Sequence, residues 1–294
     1  MKVVTIATDL ENRFLRDLLA PSCVAVGLDL TILRPANRSF PFNLRDKRAM
    51  LSRYLSELAD RDELIVFTDA YDALFIRGAA DIEAAYRAFD RPIVFSAELN
   101  SAPLGPVGQA LYGDPVPPYP YLNSGGFAGR ACDILDCYAK YPRPPSGSFE
   151  LLERLRAHGY HTDRRFGWSD QYYWTLVHLL ERDSIALDHE ARLFQCFGKP
   201  YTDVGEIMLE EQELVAQGTG APCYRREHAR LRHRLRAPSR SAQVHFNSGV
   251  SKAVALDLFD EGLFPGWLTA VLDVPAAAVA DRLHVHDLPA AYVR

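Results

Sequence analysis

Residues 64–72 read Leu-Ile-Val-Phe-Thr-Asp-Ala-Tyr-Asp, an apolar run followed at once by two carboxylates three residues apart. A short run rich in β-branched and aromatic residues predicts a strand that is buried on both faces. Asp69 and Asp72 come directly after this strand, where both can face one divalent cation, and their hard oxygen atoms suit Mn²⁺ or Mg²⁺. A local alternative is that Asp69 ends the strand and Asp72 caps the next turn. The spacing by itself leaves both interpretations open.

Similar apolar runs occur on both sides of this stretch, at residues 3–7 and 93–96. Between the runs, apolar residues recur at helical spacing, as they do in residues 50–58. This alternation predicts an α/β fold, with a mostly parallel central sheet flanked by helices. Ligands of such sheets bind at the carboxyl ends of the strands, which is where Asp69 and Asp72 stand.

The composition is that of a folded protein whose partner is small or neutral. The 294 residues are 48% hydrophobic, which suffices for one large core, or a core with a small appendage. A formal net charge of −5 provides no field that would attract nucleic acid. The five cysteines show no disulfide or zinc spacing, which indicates a reducing compartment. No segment offers the about 20 apolar residues of a membrane span, so we expect a cytoplasmic protein without a transmembrane segment.

A histidine near the carboxyl end is the candidate for a third metal ligand. Residues 242–249 read Ala-Gln-Val-His-Phe-Asn-Ser-Gly, which predicts a short strand that delivers His245 into a turn of small residues ending at Gly249. Taken alone, a half-buried histidine bonded to a backbone carbonyl is the simpler interpretation. Lys252 lies just beyond and is either a phosphate contact or a solvated lysine.

Polar residues elsewhere suggest further contacts. Asp170 opens a predicted helix next to an aromatic residue, where it can bind an acceptor, transfer a proton or cap the helix. Asn123, Gly125 and Gly126 can contact sugar hydroxyls, or they form a tight turn between a strand and a helix. Lys47 lies at the start of a predicted amphipathic helix. It is either a ligand contact or a lysine exposed to solvent.

Three longer segments complete the organisation of the chain. Residues 100–120 are rich in Gly and Pro without periodicity, and they predict a functional loop on the acceptor side. Residues 205–240 predict a polar helical segment that ends in an arginine cluster. The cluster either binds an anionic acceptor or a lipid surface, or it is simply exposed to solvent. Residues 253–294 predict a helical appendage that docks on the core or makes a homodimer contact. The remaining residues, 1–252, then form the main domain.

With these residues in view, the chain resembles the glycosyltransferase domain of procollagen lysyl hydroxylases and their collagen glucosyl- and galactosyltransferase relatives. The resemblance is ordered along most of residues 3–252. It rests on Val-Thr-Ile-Ala-Thr at 4–8, Asp-Lys-Arg at 46–48, Thr-Asp-Ala-Tyr-Asp at 68–72, Phe-Ser-Ala-Glu at 95–98, Leu-Asn-Ser-Gly-Gly-Phe at 122–127, Ser-Asp-Gln-Tyr-Tyr at 169–173, Leu-Asp-His at 187–189, Leu-Phe-Gln at 193–195 and the turn at His245.

The resemblance implies a GT-A fold, which is Rossmann-like, and a retaining transfer of glucose or galactose from a UDP-sugar. The residues that match the family's site fall into four groups, as Mn²⁺ ligands (Asp69, Asp72, His245), uridine contacts (Thr5, Tyr71), sugar or phosphate neighbours (Lys47, Lys252) and the sugar and acceptor side (Asn123, Gly125, Gly126, Asp170). The family's acidic run is reduced here to Asp170 after Ser169, and residues 100–120 lack the family's tryptophans.

Together these observations predict a metal-dependent glycosyltransferase whose partners are a nucleotide-sugar donor and a glycan, protein or small-molecule acceptor. Three alternatives stay open. The same two aspartates also suit a UDP-sugar hydrolase or nucleotidyltransferase. A catalytically silent nucleotide-sugar-binding module needs the same pocket without turnover. A surface-binding adaptor would depend on the arginine cluster instead.

Overall fold

The structure is a computed structural model that describes residues 1–35, 46–202 and 204–288, with only the backbone of Val204. Its strands form one seven-stranded and one three-stranded sheet. In chain order they are β1 (Lys2–Ile6), β2 (Leu30–Pro35), β3 (Leu64–Thr68), β4 (Ala73–Phe75), β5 (Ile93–Glu98), β6 (Tyr121–Arg130), β7 (Ile185–Asp188), β8 (Phe194–Cys196), β9 (Gln243–His245) and β10 (Leu283–Leu288).

The large sheet has the strand order β10-β2-β1-β3-β6-β5-β7. All neighbouring strands in it are parallel except at β6, which runs antiparallel to both β3 and β5. The small sheet has the order β4-β9-β8 and lies beyond the carboxyl end of β3. The predicted α/β fold with a mostly parallel central sheet is therefore confirmed.

Helices connect the strands. In chain order they are α1 (Ala20–Ala25), α2 (Asp46–Glu57), α3 (Ala79–Arg87), α4 (Pro106–Tyr112), α5 (Ala131–Lys140), α6 (Glu150–Ala157), α7 (Thr162–Phe166), α8 (Asp170–Leu180), α9 (Val204–Gln217), α10 (Pro222–Arg234), α11 (Gly249–Asp260), α12 (Gly266–Thr269) and α13 (Ala276–Asp281). A π-helical turn, Leu15–Leu19, leads into α1. Among the described helices, none has the length and apolar character needed to cross a membrane.

Both faces of the large sheet are covered by apolar cores. Ile65 and Phe67 of β3 pack on one face with residues of α2, α5 and α8, whereas Val66 packs on the other face with residues of α1 and α3. Successive side chains of a strand point to opposite faces, so a continuous apolar run is what a strand between two helical layers requires. This is why residues 64–68 are apolar at every position before Thr68.

The glycine pair of β6 lies in a strand, so the tight-turn interpretation of this segment is wrong. On β5, Phe95 and Ser96 are consecutive, but their partners on β6 are Phe127 and Asn123. Ser124 to Gly126 are therefore extra residues that bulge out of the pairing with β5. Bulges re-aim the backbone next to active sites. The backbone of Gly125 is displaced in this way at the carboxyl end of β3.

Residues 100–120 are not wholly irregular, because they contain α4. Pro106 occupies the first turn of this helix, where its missing N–H has no intrahelical partner to lose. Gly105 and Gly113, with φ of 56° and 71°, bound the helix on either side. Seven residues are too few for helical periodicity to stand out in the sequence.

The segment after residue 252 needs a similar correction. Residue 252 lies inside α11, and residues 283–288 are the strand β10, which pairs in parallel with β2 at the edge of the large sheet. The segment is thus not entirely helical, because residues 283–288 pair with the side of β2 that β1 does not cover. Residues 289–294 of the predicted appendage lie outside the described residues. The division into domains of 1–252 and 253–294 stays a prediction.

The buried His178 makes the stability of the fold depend on pH. Burial, with a smaller contribution from the positive charge of Arg182, lowers the pKa of His178 from 6.5 to about 4. The folded chain therefore favours the neutral imidazole, and the resulting stability is present above pH 6.5 and lost as the pH falls towards 4. We expect the wild type to lose about 2 kcal/mol of unfolding free energy through this group by pH 5.

The expected loss is measured by urea unfolding at pH 7 and pH 5. His178→Phe keeps an aromatic ring beside Tyr112, whose ring centroid is 5.9 Å away, and should lose correspondingly less stability between the two pH values. His284→Phe, on an exposed position of β10, is the matched control and should behave as the wild type. An identical pH dependence in all three proteins would contradict the shift of the His178 pKa.

Candidate active site

Three potential metal ligands meet at the carboxyl end of β3. Asp69 follows β3, Asp72 precedes β4, and His245 is the last residue of β9. Because β4 and β9 pair antiparallel with Ala73 opposite His245, the imidazole lies beside Asp72, and Nε2 is 3.1 Å from Oδ1. One ligand atom from each of the three residues lies within 4.8 Å of the others. Two carboxylates and an imidazole in this arrangement fit a small divalent cation.

Asp72 and His245 are held as an ion pair. Burial raises the pKa of Asp72, but the charge and hydrogen bond of His245, with the nearby Lys252, lower it below its usual value overall. Burial lowers the pKa of His245, and Asp72 more than offsets this effect, so the pKa of His245 lies well above its ordinary value. The pair therefore presents a carboxylate, which is the form that a cation needs, whereas His245 would have to release its proton to act as a ligand.

Gly125 lets the backbone of β6 approach this cluster. A Cβ atom at Gly125 would lie 2.3 Å from Cε1 of His245 and 2.8 Å from Oδ2 of Asp69. The carbonyl oxygen of Gly125 also accepts a hydrogen bond from the Asp69 backbone N–H at 2.8 Å. At Gly126 a Cβ would instead meet Oε1 of Gln243 at 2.5 Å. Both glycines are thus required by close packing, and Gly125 by the metal-ligand cluster itself.

Lys47 and Asp170 lie next to the cluster. Nζ of Lys47 donates to Oδ1 of Asp69 at 2.6 Å and is 3.8 Å from Oδ2 of Asp170. Burial lowers the pKa of Lys47, but the negative charges of Asp170 and Asp69 more than offset this effect and raise the pKa overall. The interpretation of Lys47 as merely exposed is therefore wrong. The largely buried ammonium group of Lys47 therefore connects Asp69, after β3, with Asp170 at the start of α8.

Asp170 is not the residue that caps α8. Oγ of Ser169 accepts the hydrogen bond from the backbone N–H of Tyr172 at 3.3 Å, which leaves the Asp170 carboxylate to face Lys47. Burial raises the pKa of Asp170, with Lys47 acting in the opposite direction. The structure therefore brings Asp170 into the same cluster as Asp69.

Glu98 is a buried residue of the site that sequence reasoning missed. Its carboxylate accepts hydrogen bonds from the side-chain amides of Asn123 at 2.9 Å, Gln171 at 2.8 Å and Asn247 at 2.9 Å. Burial raises the pKa of Glu98, and these donors oppose that effect. The sequence did carry a signal, because Glu98 ends the apolar strand β5 as Asp69 follows β3. The carboxylate joins β5, β6, α8 and the turn after β9.

Comparison with known proteins identifies the type of domain that carries this cluster. Residues 1–142 match the family described as "PLOD GT domain". The chain carries a glycosyltransferase domain that is similar to those of the PLOD-like family. The match includes Asp69, Asp72 and Asn123 but ends before Asp170 and His245, which only the fold brings to the same place.

Curated relatives of this glycosyltransferase domain are much longer proteins. Procollagen-lysine,2-oxoglutarate 5-dioxygenase 1 of Pongo abelii is 29% identical over 163 residues, which is 51% of this chain and 18% of that protein. Procollagen-lysine,2-oxoglutarate 5-dioxygenase 2 of Homo sapiens is 24% identical over 178 residues, 56% of this chain and 20% of that protein. The chain thus matches less than a quarter of the length of these relatives.

Two similar solved structures are themselves described as glycosyltransferases. Mouse xyloside xylosyltransferase 1, in its apo form, is 11% identical with a TM-score of 0.47, covering 84% of this chain and 97% of that one. The galactosyltransferase LgtC, in complex with donor and acceptor sugar analogs, is 14% identical with a TM-score of 0.41, covering 94% and 98%. At these identities and TM-scores the two structures carry no functional argument. The glycosyltransferase assignment therefore rests on the sequence match of residues 1–142.

The two residues predicted to contact uridine are placed differently within the glycosyltransferase domain. The hydroxyl of Tyr71 accepts hydrogen bonds from the backbone N–H groups of Thr8 and Asp9, each at 2.8 Å, after the end of β1. Thr5 is fully buried, and its hydroxyl donates to the Thr68 carbonyl oxygen at 2.7 Å. Thr5 therefore positions the end of β3, and its side chain is not open to a ligand.

Gly249 and Lys252 lie in the first turn of α11, which starts four residues after His245. The hydroxyl of Ser248 caps this helix by accepting from the backbone N–H of Ser251 at 3.0 Å. The amino end of a helix favours anions, because unpaired N–H groups and the helix dipole point there. Gly249 and Lys252 therefore lie at a helix end of the type that binds anions, a few residues after His245.

Proposed function

We propose that this glycosyltransferase domain transfers a hexose, glucose or galactose, from a UDP-sugar to an acceptor hydroxyl with the help of a divalent cation. The observation that carries the proposal is the convergence of Asp69, Asp72 and His245 at the carboxyl end of β3. When bound, Mn²⁺ or Mg²⁺ would offset the negative charge that develops on the departing diphosphate. Retention of the anomeric configuration is part of the proposal through the family resemblance.

The residues around the cluster suggest how the donor is oriented. Tyr71 stands at the nucleoside end, and Gly249 and Lys252 at the diphosphate end, where α11 begins. The bulge of β6, with Asn123 and Gly125, lies on the sugar side. These assignments come from the family resemblance, and the order of the elements around the predicted metal site is compatible with them.

Lys47, a sugar or phosphate neighbour in the family resemblance, holds Asp170 at the sugar and acceptor side of the proposed reaction. Lys47 bridges Asp69 and Asp170, so it holds two carboxylates at a fixed distance without repulsion. Asp170 is 5% exposed, and burial makes its carboxylate a stronger base than a free one. We assign Asp170 to binding or deprotonation of the acceptor hydroxyl, and Asn123 to the sugar. The acceptor is a glycan, a protein or a small molecule that bears such a hydroxyl.

A donor screen tests this proposal. UDP release is measured with UDP-glucose, UDP-galactose and other nucleotide-sugars in Mn²⁺ and in EDTA, and acceptors are then identified by mass spectrometry. We expect release that needs the metal, that prefers a UDP-hexose and that increases with an acceptor. Release that no acceptor increases would favour a hydrolase, and UDP binding without any turnover would favour a silent binding module.

A further inference from the structure

A concave site lies on the other side of β8 from the candidate active site. It is a cavity of about 360 Å³ between β8, the loop before β6 and the end of α10. The residues that matter for its chemistry are Tyr119, Gln195, Phe197, Arg234, Ser239 and Arg240. A volume of this size is within the usual range of small-molecule sites.

The direction of the β8 side chains separates this cavity from the metal-ligand cluster. Cys196 faces the cluster, with Sγ 3.9 Å from Nδ1 of His245. Gln195, one residue earlier, lines the cavity, and consecutive side chains of a strand point to opposite faces. A ligand in the cavity would therefore not share the proposed donor site.

The lining of the cavity includes two arginines, Arg234 and Arg240, and one acidic residue, Glu190. Nη2 of Arg234 lies 3.4 Å from the hydroxyl of Tyr119, which is its hydrogen-bond partner. Within residues 1–35, 46–202 and 204–288, no carboxylate lies at ion-pair distance from the guanidinium of Arg234 or Arg240. The acidic residue at the cavity, Glu190, is already bound by Arg192 through two hydrogen bonds of 2.9 and 2.5 Å. The net charge of the lining therefore favours an anion.

The inner wall is polar and held in place. Gln195 and Ser239 are both 8% exposed, and the hydroxyl of Ser239 donates to Oε1 of Gln195 at 2.5 Å. Nε2 of Gln195 is 3.5 Å from the hydroxyl of Tyr119. The Phe197 ring, stacked on Phe246 at 5.4 Å, provides a rigid apolar wall. The cavity thus combines guanidinium donors, a fixed polar wall and aromatic surface.

We propose that this cavity binds a monosaccharide that bears a phosphate or sulfate ester. Guanidinium groups form paired, charge-assisted hydrogen bonds with such oxyanions, which Arg234 and Arg240 would supply. The aromatic face of Tyr119 suits the apolar face of a sugar ring, the buried Phe197 supports the wall behind it, and the polar wall suits the sugar hydroxyls. The site would bind the anionic sugar independently of the proposed donor and metal.

Isothermal titration with glucose 6-phosphate in EDTA tests the proposal, since EDTA removes any contribution from a divalent cation. We expect measurable binding to the wild type and a loss of about 10-fold or more in Arg234→Ala, which removes a charge-assisted contact. Arg232→Ala is the matched control, because Arg232 is an exposed arginine of α10 that does not line the cavity. It should bind glucose 6-phosphate within about 2-fold of the wild type.

Further titrations identify which part of the ligand is recognised. Glucose should bind far more weakly than glucose 6-phosphate, inorganic phosphate should bind in between, and UDP with Mn²⁺ should not compete. Equal losses in Arg232→Ala and Arg234→Ala would mean a diffuse basic surface and overturn the proposal. So would the absence of binding, competition by UDP, or inorganic phosphate binding as tightly as glucose 6-phosphate.

Discussion

Asp72→Asn is expected to lower Mn²⁺-dependent UDP affinity by about 100-fold or more, and UDP-hexose turnover by about 1000-fold. Asparagine removes the charge that a cation requires, while its amide oxygen still accepts the hydrogen bond from Nε2 of His245. The side chain is partly exposed just before β4 and is not part of the apolar core. The variant should therefore fold as the wild type does.

UDP affinity is measured by titration in Mn²⁺ and in EDTA, and thermal unfolding is followed in parallel. Asp183→Asn is the matched control, since Asp183 is exposed at the amino end of β7, away from the cluster. This control should have the UDP affinity and the unfolding temperature of the wild type. Wild-type Mn²⁺-dependent affinity in Asp72→Asn would remove the basis for the metal assignment.

Gly125→Ala is expected to damage the same site through packing rather than charge. The added methyl group would lie 2.3 Å from Cε1 of His245 and 2.8 Å from Oδ2 of Asp69, so at least one of the two ligands must move. Overpacking of this kind costs about 1–3 kcal/mol of unfolding free energy. Because metal ligands tolerate little displacement, we also expect Mn²⁺-dependent UDP affinity to fall by about 10-fold or more.

Gly220→Ala separates the close approach from the general effect of replacing a glycine. A Cβ at Gly220 meets no atom within 4 Å, so this variant should keep the stability and UDP affinity of the wild type. Both variants are compared by urea unfolding and by UDP titration in Mn²⁺. Unaltered affinity in Gly125→Ala would show that the glycine is not needed to position His245 and Asp69.

Much of the candidate site was visible in the sequence because its residues follow patterned strands. The apolar run at 64–68 predicts a buried strand, so the position of Asp69 at its carboxyl end follows directly. The same reasoning could have selected Glu98 after β5. It could not have shown what Glu98 does, since its partners Asn123, Gln171 and Asn247 lie on three other segments.

Local irregularities were harder to predict. The bulge of β6 at Ser124 to Gly126 depends on pairing with two strands at once, and a glycine pair by itself suits a turn equally well. The strand β10 pairs with β2, about 250 residues earlier in the chain, and its own pattern is too weak to reveal this. In both cases the deciding hydrogen bonds are made with distant segments.

The sequence alone determined the alternation of strands and helices, and with it the α/β fold and the edge of the sheet where ligands bind, because burial between two layers dictates the apolar pattern. Only the tertiary structure decided that His245 stands beside Asp72, that Gly125 leaves room for His245 and Asp69, and that Lys47 bridges Asp69 and Asp170. These contacts join residues that are far apart in the chain, so no local pattern encodes their distances.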